Sequence, residues 1–375
     1  MFTKLGWIVL KKWTVFLIIV LIGASPIITF TFTANAFDIL TEMQITTDVN
    51  TQWRPSVYGD YIVWQDQRNG NADIYGYRLS TGTEFPICTD TFNQEHPSIY
   101  GDIVVWYDWR NGNADIYGYR LSTGTEFPIC TDLNNQRLPV IYKDVVVWND
   151  WRNGNWDIYG YDLSTSTEFP ICTDAAHQYF PQVGRQVAVW WDERNGIGNW
   201  DIYGYWLHNG TEVPISTDLN NQGYPAVHDR YIAWIDDRNG NWDIYGYDLY
   251  EGVEFPICTN TSDQFRPRLY HDVVVWFDLR QGNQDIYGLD ISSATEFQIT
   301  FNTSDQRHPK IYNNIVVWHD RRNGNYDIYM ALLDIPQYVG GEVLPINAPQ
   351  LITPYALLLI LVLGTVSIVH LKRRL

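Results

Sequence analysis

The stretch that decides the fold is residues 68–90, RNGNADIYGYRLSTGTEFPICTD, which recurs without a change at residues 110–132. Weaker copies follow along the chain, and each copy comes shortly after a tryptophan: Trp64, Trp106, Trp148, Trp190, Trp234, Trp276 and Trp318. Successive tryptophans are 42 residues apart, except for one interval of 44 in which Ile197 and Gly198 are extra. Seven copies of one unit of this length indicate a repeat architecture.

Each unit predicts four short strands. In the first unit the predicted strands are residues 56–58, 61–67, 72–79 and 83–89. Asn69-Gly70 is typical of a tight hairpin, because both turn positions need a positive φ, and the β-branched and aromatic residues on either side favour strands. Four strands repeated seven times predict an all-β fold, a seven-bladed β-propeller with four-stranded blades.

The two ends of the repeat region predict how the ring closes. Residues 41–46 match the fourth strand of the unit, yet they precede the first unit, and the last unit ends after its third strand at Asp334. We therefore expect the N-terminal strand to complete the last blade. This pairing would also cover a sheet edge that otherwise invites aggregation.

The segments outside the repeats predict a membrane protein. Residues 1–36 have the basic start, apolar run and A-x-A site of a signal peptide, with an uncleaved anchor as the alternative. Residues 37–334 form the propeller and 335–350 a linker. Residues 351–371 are long and apolar enough for a C-terminal transmembrane helix, and 372–375 form a basic tail. The positive-inside rule places that tail in the cytoplasm and the propeller outside, extracellular or periplasmic, on a single-pass protein of the cell membrane.

The charge distribution argues against one class of partner. The formal net charge is −18, all 43 acidic residues lie between positions 37 and 350, and six of the 25 Lys and Arg residues lie in the two ends. A body that acidic repels phosphate backbones, so nucleic-acid binding is not expected.

The units W-x-D…R-N-G-N-x-D-I-Y resemble the TolB-type (WD40-like) propeller repeats of bacterial and archaeal surface proteins, over roughly residues 41–334. The resemblance implies the propeller fold. TolB itself also carries an N-terminal α/β domain and binds a peptidoglycan-associated lipoprotein. We do not expect that domain here, and the partner is not carried over. Related propellers are attached to prolyl-oligopeptidase-type hydrolases, but no G-x-S-x-G motif is present.

An Asp–Arg–Asp set recurs on one face of every hairpin. In the first unit Asp66 is predicted to lie opposite Asp73, with Arg68 beside them. Two opposed carboxylates repel each other unless a cation lies between them, and the forked guanidinium of Arg68 can bridge both. We interpret the set as a structural clamp; the second unit repeats it as Asp108, Arg110 and Asp115. The alternative is a Ca²⁺ site in each hairpin, which the arginine disfavours; no other cofactor is expected.

Three further residue types have structural interpretations. A glutamine before the proline of each unit is expected to tie the inter-blade loop to a neighbouring blade. Cys88, Cys130, Cys172 and Cys258 share one repeat position, too far apart for disulfides. The histidines, including His96, His228, His271, His308 and His319, show no catalytic arrangement in the sequence and are interpreted as scattered surface residues.

The differences between units suggest a binding surface. Five tryptophans are expected beside the hairpin tips of units two to five, on the outward rim: Trp109, Trp151, Trp156, Trp200 and Trp242. Tryptophan buries a large area at low entropic cost and is enriched in binding patches. The five residues are therefore candidate ligand-binding residues; the alternative is that they pack between blades.

These observations lead to the expectation of a non-catalytic binding or adhesion module for an envelope glycan or protein. Near-identical blades argue against an enzyme, because catalysis needs one blade to supply a distinct acid, base or nucleophile in a pocket. The alternatives are a propeller lyase or glycosidase, and a passive structural component of the envelope. Sequons at Asn209, Asn260 and Asn302 are compatible with an outside location.

Overall fold

The computed structural model describes residues 39–196 and 198–334 with their side chains, and only the backbone of 16–20, 27–31, 337–339 and 342–344. The chain divides into two units, residues 1–38 and 39–375. In the first, Phe16–Val20 pairs antiparallel with Ile27–Thr31; in the second, Gln337–Val339 pairs with Glu342–Leu344. The rest of the predicted signal peptide and the predicted transmembrane helix lie outside the described residues. Among the residues that are described, no helix is long and apolar enough to cross a membrane.

Seven four-stranded antiparallel sheets confirm the predicted propeller. The strands of blades 1 to 4 are, in order, Gln52–Tyr58, Tyr61–Asp66, Asp73–Arg78 and Thr83–Cys88; Gln94–Tyr100, Ile103–Asp108, Asp115–Arg120 and Thr125–Cys130; Gln136–Tyr142, Val145–Asp150, Asp157–Asp162 and Thr167–Cys172; Gln178–Val183, Val187–Asp192, Asp201–Trp206 and Thr211–Ser216. Those of blades 5 to 7 are Gln222–His228, Tyr231–Asp236, Asp243–Asp248 and Val253–Cys258; Gln264–Tyr270, Val273–Asp278, Asp285–Asp290 and Thr295–Gln298; Gln306–Tyr312, Ile315–Asp320, Asp327–Leu333 and Ile39–Gln44.

The last blade is completed by the N-terminal strand, as the sequence predicts. Ile39–Gln44 pairs antiparallel with Asp327–Leu333, and the N–H of Ile45 donates to the carbonyl of Ile328 at 2.7 Å. Glu42 pairs with Arg322 just as Glu84 pairs with Arg68 within blade 1. Residues almost 300 positions apart therefore share one sheet, and the ring is closed by backbone hydrogen bonds.

The first strand of every blade is longer than the sequence predicted. It begins at the recurrent glutamine rather than after the proline, because a bulge lets pairing continue across the proline; in blade 1 the register shifts between Trp53 and Ser56. The side-chain amide of Gln52 donates to the carbonyl of Asn50 at 2.5 Å, and its backbone N–H donates to the carbonyl of Tyr326 in the preceding blade at 2.7 Å. The backbone of this residue, more than its side chain, links adjacent blades.

The core lies between neighbouring blades. The seven recurrent tryptophans are completely buried, and one of them, Trp148 of blade 3, lies in a cluster with Tyr107 and Ile116 of blade 2. The apolar faces of adjacent sheets thus bury one another. No single blade has a core of its own, which is why such a repeat needs a closed set of neighbours.

The second-strand aspartate organises each hairpin. Asp66 is fully buried; it accepts hydrogen bonds from the indole N–H of Trp64 at 2.8 Å and from the backbone N–H of Arg68 at 2.9 Å. The Arg68 guanidinium pairs with the same carboxylate at 2.6 Å, contacts Glu84 on strand four and lies 4.2 Å from the ring centre of Tyr75. In blade 2 the equivalent Arg110 pairs with Asp108 at 2.6 Å and reaches Cys88 of the preceding blade at 3.2 Å.

The opposed aspartate is held differently from the prediction. Asp73 pairs in register with Asp66 as expected, but its carboxylate accepts from the side-chain amides of Asn69 at 2.6 Å and Asn71 at 2.8 Å. Asp115 of blade 2 is held in the same way by two asparagines. Burial raises the pKa of Asp73, and the hydrogen bonds from the two asparagine amides oppose that rise by stabilising the carboxylate. The carboxylate oxygens proposed as Ca²⁺ ligands are the ones used in these hydrogen bonds.

The clamp makes a stability prediction. Asp66→Asn removes the charge that neutralises Arg68 in a buried site, and we expect a loss of about 3 kcal/mol in the free energy of unfolding. Glu84→Gln, which acts on the half-exposed partner of the same arginine, should cost less than about 1 kcal/mol. Urea denaturation of both variants tests this; equal effects would contradict a central role for Asp66.

Candidate functional site

The first strands of the seven blades line a central channel. Each of these strands begins at the end of the ring that carries the R-N-G-N hairpins, here called the hairpin end, and finishes at the turn into strand two, here called the turn end. Because the strands are related by the repeat, side chains at one repeat position form a ring around the channel. Sequence positions 42 residues apart are therefore close together at the axis.

The residue before the proline of each first strand has a left-handed backbone. φ lies between 48° and 57° at all seven positions, and none of them is glycine: Arg54, His96, Leu138, Phe180, Tyr224, Arg266 and His308. This conformation is unfavourable for residues with side chains. It turns the side chain at the bulge toward the channel mouth at the hairpin end, where six of the seven, all but Tyr224, line the opening.

The mouth has two chemically different halves. Going round the ring from blade 6 to blade 2, Arg266, His308, Arg54 and His96 form what we call the cationic arc. Leu138 and Phe180 of blades 3 and 4, together with Tyr224 of blade 5, form the apolar arc; Tyr224 does not line the opening itself, but its ring centre lies 4.8 Å from that of Phe180. Arg266 joins the two arcs, since its guanidinium lies 4.5 Å from the ring centre of Tyr224.

The cations of the mouth form no ion pairs with the carboxylates that the structure describes, although the charge of Glu95 acts on Arg54 from a distance. Arg268 and Lys310 lie one step deeper, after the prolines, and extend the cationic arc into the channel. In the part of the chain that the structure describes, no ion pair is formed by Arg54, Arg266, Arg268 or Lys310, and no acidic residue lines the mouth. A concentration of unpaired positive charge in an acidic protein is what an anion-binding site requires.

Mutual repulsion and burial perturb these groups. Burial, together with Arg266, lowers the pKa of Arg268 to about 9, and burial followed by the neighbouring arginines lowers the pKa of Lys310. The pKa of His96 is lowered by burial and by Arg54, and that of His308 by burial and by Arg266. Both imidazoles are therefore neutral at pH 7, and an anion bound among the cations would raise their pKa again and strengthen them as bases.

The mouth is narrow. Its cavity is about 70 Å³, room for about two water molecules or one carboxylate group, since a water takes about 30 Å³ in the liquid. A larger ligand would have to place an anionic group in the mouth and keep the rest of its structure above it, on the face of the ring.

The predicted tryptophans lie on that face and contact one another. Trp200 of blade 4 stacks on Trp191 at 4.6 Å and on Trp242 of blade 5 at 6.3 Å. Trp151 and Trp156 of blade 3 meet at 5.0 Å. Arg137 lies over Trp109 of blade 2 at 4.9 Å and over Trp156 at 5.7 Å. All five predicted tryptophans are half-buried, so they pack between blades and still present part of their rings to solvent.

A ring of tyrosines surrounds the channel toward the turn end. Tyr58, Tyr100, Tyr142, Tyr270 and Tyr312 occupy one repeat position, with neighbouring rings 4.4 to 5.1 Å apart. Blades 4 and 5 depart from the pattern with Gly184 and His228. Here the channel widens to a cavity of about 590 Å³.

The interpretation of the histidines as scattered surface residues was wrong. His96 and His308 lie in the mouth, and the ring centre of His319 lies 4.8 Å from that of His308. His228 and His271 meet at the turn end, 4.8 Å apart. The sequence does contain a signal, namely that the residue before the proline varies strongly among otherwise constant neighbours. Only the tertiary structure shows that this position faces the channel.

The lowered pKa of His308 predicts a pH effect on stability. The folded protein binds fewer protons than the unfolded chain below about pH 6.5, so His308 makes stability fall as the pH drops through that value, by up to about 1.4 kcal/mol per pH unit. His308→Gln should lessen the slope of unfolding free energy against pH between about 6.5 and 5; His208→Gln, on an exposed turn, serves as the matched substitution. Identical slopes for wild type and His308→Gln would contradict the assignment.

Comparison with known proteins supports the fold. No protein-family model and no curated protein sequence matches the chain. Among solved structures, an oligogalacturonate lyase in complex with manganese has a TM-score of 0.59 at 13% identity, over 79% of this chain and 96% of that chain. The β-propeller domain of the Trilobed protease from Pyrococcus furiosus has a TM-score of 0.62 at 14% identity, over 75% of this chain and 96% of that chain.

A peptidase is also similar. A Mycobacterium tuberculosis puromycin-hydrolysing peptidase gives a TM-score of 0.60 at 12% identity, over 79% of this chain and 52% of that chain. This chain thus spans about half the length of the peptidase. At such identities the likeness establishes the propeller fold, and the TolB-type assignment is not matched by any family.

These comparisons correct the functional expectation from the sequence. The predictions of a non-catalytic binding or adhesion module, and of a protein that is not an enzyme, are contradicted by structural neighbours that are a lyase and peptidases. The physical reason is visible in the channel. The argument against catalysis was that near-identical blades offer no distinct acid or base, but the first strands bring the few residues that differ between blades to one point.

Proposed function

We propose that the protein is an enzyme of the lyase class that acts on an anionic carbohydrate at the hairpin end of the channel. The observation that carries the proposal is the cationic arc: two arginines alternate with two neutral histidines around the mouth, and among the described residues no carboxylate forms an ion pair with these arginines or lines the mouth. Such an arc selects an anion and supplies a base next to it. The likeness to an oligogalacturonate lyase supports the same class of substrate.

The two halves of the mouth match the two sides of a sugar acid. A carboxylate fits the narrow opening, where Arg54 and Arg266 can bind it with their forked guanidinium groups. The sugar ring stays above and can lie against the apolar arc and the tryptophans beyond it, since aromatic rings bury the apolar faces of ligands well. In this proposal Trp200 and Trp242 bind neighbouring sugar units.

The chemistry that fits is β-elimination. Pairing of the uronate carboxylate with arginine withdraws charge and makes the hydrogen on the adjacent carbon more acidic. His96 or His308 takes that proton as a general base. A carbon–carbon double bond forms, the bond to the leaving sugar oxygen breaks, and that oxygen takes up a proton from water, which the imidazolium formed in the first step then replaces by giving its proton to solvent. The neutral state of both imidazoles at pH 7 is what this step needs.

A glycosidase fits less well. Glycoside hydrolysis uses a pair of carboxyl groups on either side of the scissile bond. Among the described residues that line the mouth none is Asp or Glu. The arrangement therefore favours elimination over hydrolysis as the reaction.

The experiment incubates the purified protein with oligogalacturonate and other oligouronates and follows the ultraviolet absorbance of the unsaturated product. Replacing a general base typically lowers the rate by about 10²- to 10⁴-fold. We therefore expect kcat/KM to fall by at least about 10²-fold in whichever of His96→Gln and His308→Gln removes the base. Arg266→Gln should lower kcat and also raise KM, because the paired arginine both binds the carboxylate and acidifies the adjacent C–H, whereas Trp242→Ala should mainly raise KM.

Matched controls lie far from the mouth. Arg230, at the turn end, pairs with Asp248, so Arg230→Gln controls for the arginine change, and His208→Gln controls for the histidine change. Both should keep wild-type rates. Full activity in the two mouth histidine variants would rule out their proposed role, and the absence of unsaturated product from every oligouronate would rule out the lyase proposal.

We also propose that this enzyme works outside the cytoplasm, held to the membrane by residues 351–371. The apolar length of that segment and the basic residues after it support the proposal. Ile39 and Leu333 are paired at the turn end, so the connections to both ends of the chain leave the ring on one side and the mouth is on the other. Protease added to intact cells should digest the propeller; protection comparable to that of a cytoplasmic marker would contradict it.

A further inference from the structure

The turn end of the channel carries a second cluster that the proposed lyase chemistry does not use. His228 is the last residue of the first strand of blade 5, Asp229 follows it in the turn, and His271 occupies the turn of blade 6. The Nδ1 atoms of His228 and His271 lie 3.5 and 3.3 Å from Oδ2 of Asp229. We propose that these three residues form a binding site for a first-row divalent transition metal such as Zn²⁺ or Mn²⁺.

The spacing of the ligand atoms fits such a metal. With metal–ligand bonds of about 2.1 Å, two ligands in a tetrahedral arrangement are about 3.4 Å apart. One ligand atom from each of the three residues can be chosen so that all lie within 4.8 Å of one another. Two imidazoles with one carboxylate suit transition metals, whereas Ca²⁺ and Mg²⁺ prefer oxygen ligands.

The departures from the repeat converge on this point. Five blades have tyrosine where blade 5 has His228, and blades 1 and 2 have Gly59 and Gly101 where blade 5 has Asp229. Asp229 and His271 both hold a left-handed backbone, with φ of 43° and 48°. The other blades adopt the same fold without two imidazoles and a carboxylate at these positions. The fold therefore does not require the three residues, and their proximity in adjacent blades indicates a site.

The surroundings leave room for ligands other than protein. All three residues are half-buried and line the cavity of about 590 Å³, so solvent or a small anion can complete the coordination. Without metal, the backbone N–H of His271 donates to Nδ1 of His228 at 3.0 Å; coordination through Nδ1 would replace this hydrogen bond. Lys143 and Arg185 line the same cavity, so general attraction of cations to this end is weak and binding must depend on the three ligands.

The repeat itself supplies conservative variants for a test. His228→Tyr installs the residue of five other blades, and Asp229→Asn and His271→Asn install the residue of blade 7, Asn313. The matched control is His308→Gln at the other end of the channel. His308 and His319 are also 4.8 Å apart, but arginines surround them.

The experiment titrates the full-length protein, freed of metal by chelation, with Zn²⁺ and Mn²⁺, and with Ca²⁺ for comparison, in a calorimeter. We expect one equivalent of transition metal per chain and no Ca²⁺. Each of the three site variants should weaken binding by at least about tenfold, because even outer-shell partners of metal ligands contribute that much. His308→Gln should bind as the wild type does.

Thermal unfolding gives a second readout that also reports on folding. Metal that binds only the folded protein raises the melting temperature, and this rise should disappear in the three site variants while their metal-free melting temperatures stay near that of the wild type. Wild-type affinity in Asp229→Asn and His271→Asn, or loss of binding only in His308→Gln, would overturn the proposal. So would a wild-type protein that takes up no metal. None of these outcomes depends on the lyase activity at the hairpin end.

Discussion

The structure depends on one buried carboxylate repeated seven times. Asp66 and its equivalents each bind an indole N–H, a backbone N–H and a guanidinium, at distances that vary little between blades. The arginine then reaches strand four and, in four of the blades, the cysteine of the blade before it. A charge this deeply buried is costly unless it is paired, so each hairpin must adopt one geometry. That geometry fixes the second strand, and through it the first strand along the axis.

A frame held in this way can tolerate variation at the axis. The side chains that hold the hairpin lie away from the channel. The residue before the proline is not one of them, although Leu138, Phe180 and Tyr224 also pack against the core between blades. Arginine, histidine, leucine, phenylalanine and tyrosine all occur there on the same left-handed backbone. The hydrogen-bonded blades hold this unfavourable left-handed backbone in place. The mouth is therefore lined by a ring of side chains that differ from blade to blade. Function, on this view, is set by the variable positions of a constant scaffold.

The two ends of the channel have opposite chemistry. Arginines, a lysine and neutral histidines line the hairpin end and suit an anion, while two imidazoles and a carboxylate at the turn end suit a cation. The tyrosine ring lies toward the turn end, beyond the cationic residues. This difference arises because blades 6, 7, 1 and 2 contribute Arg266, His308, Arg54 and His96 to the hairpin end, whereas blades 5 and 6 contribute the two imidazoles and the carboxylate at the turn end. The asymmetry of the ring is therefore a property of a few positions in a few blades.

The sequence by itself determined the repeat, the number of blades, the four strands of each and the closure by the N-terminal strand. These follow from local patterns, because turn residues, strand residues and spacing act over short distances. The sequence also predicted that Asp66 lies opposite Asp73. It assigned Arg68 as the donor to Asp73 in place of Asn69 and Asn71, because arginine and asparagine at these positions of a hairpin are both within reach of the carboxylate. Only the tertiary structure decided the sites. His228 and His271 are 43 positions apart in the sequence and look unrelated there; they meet because the ring turns each repeat by one blade and brings equal positions to a common axis. The charge pattern around that axis forms only when the ring closes, so it cannot be seen in any single repeat.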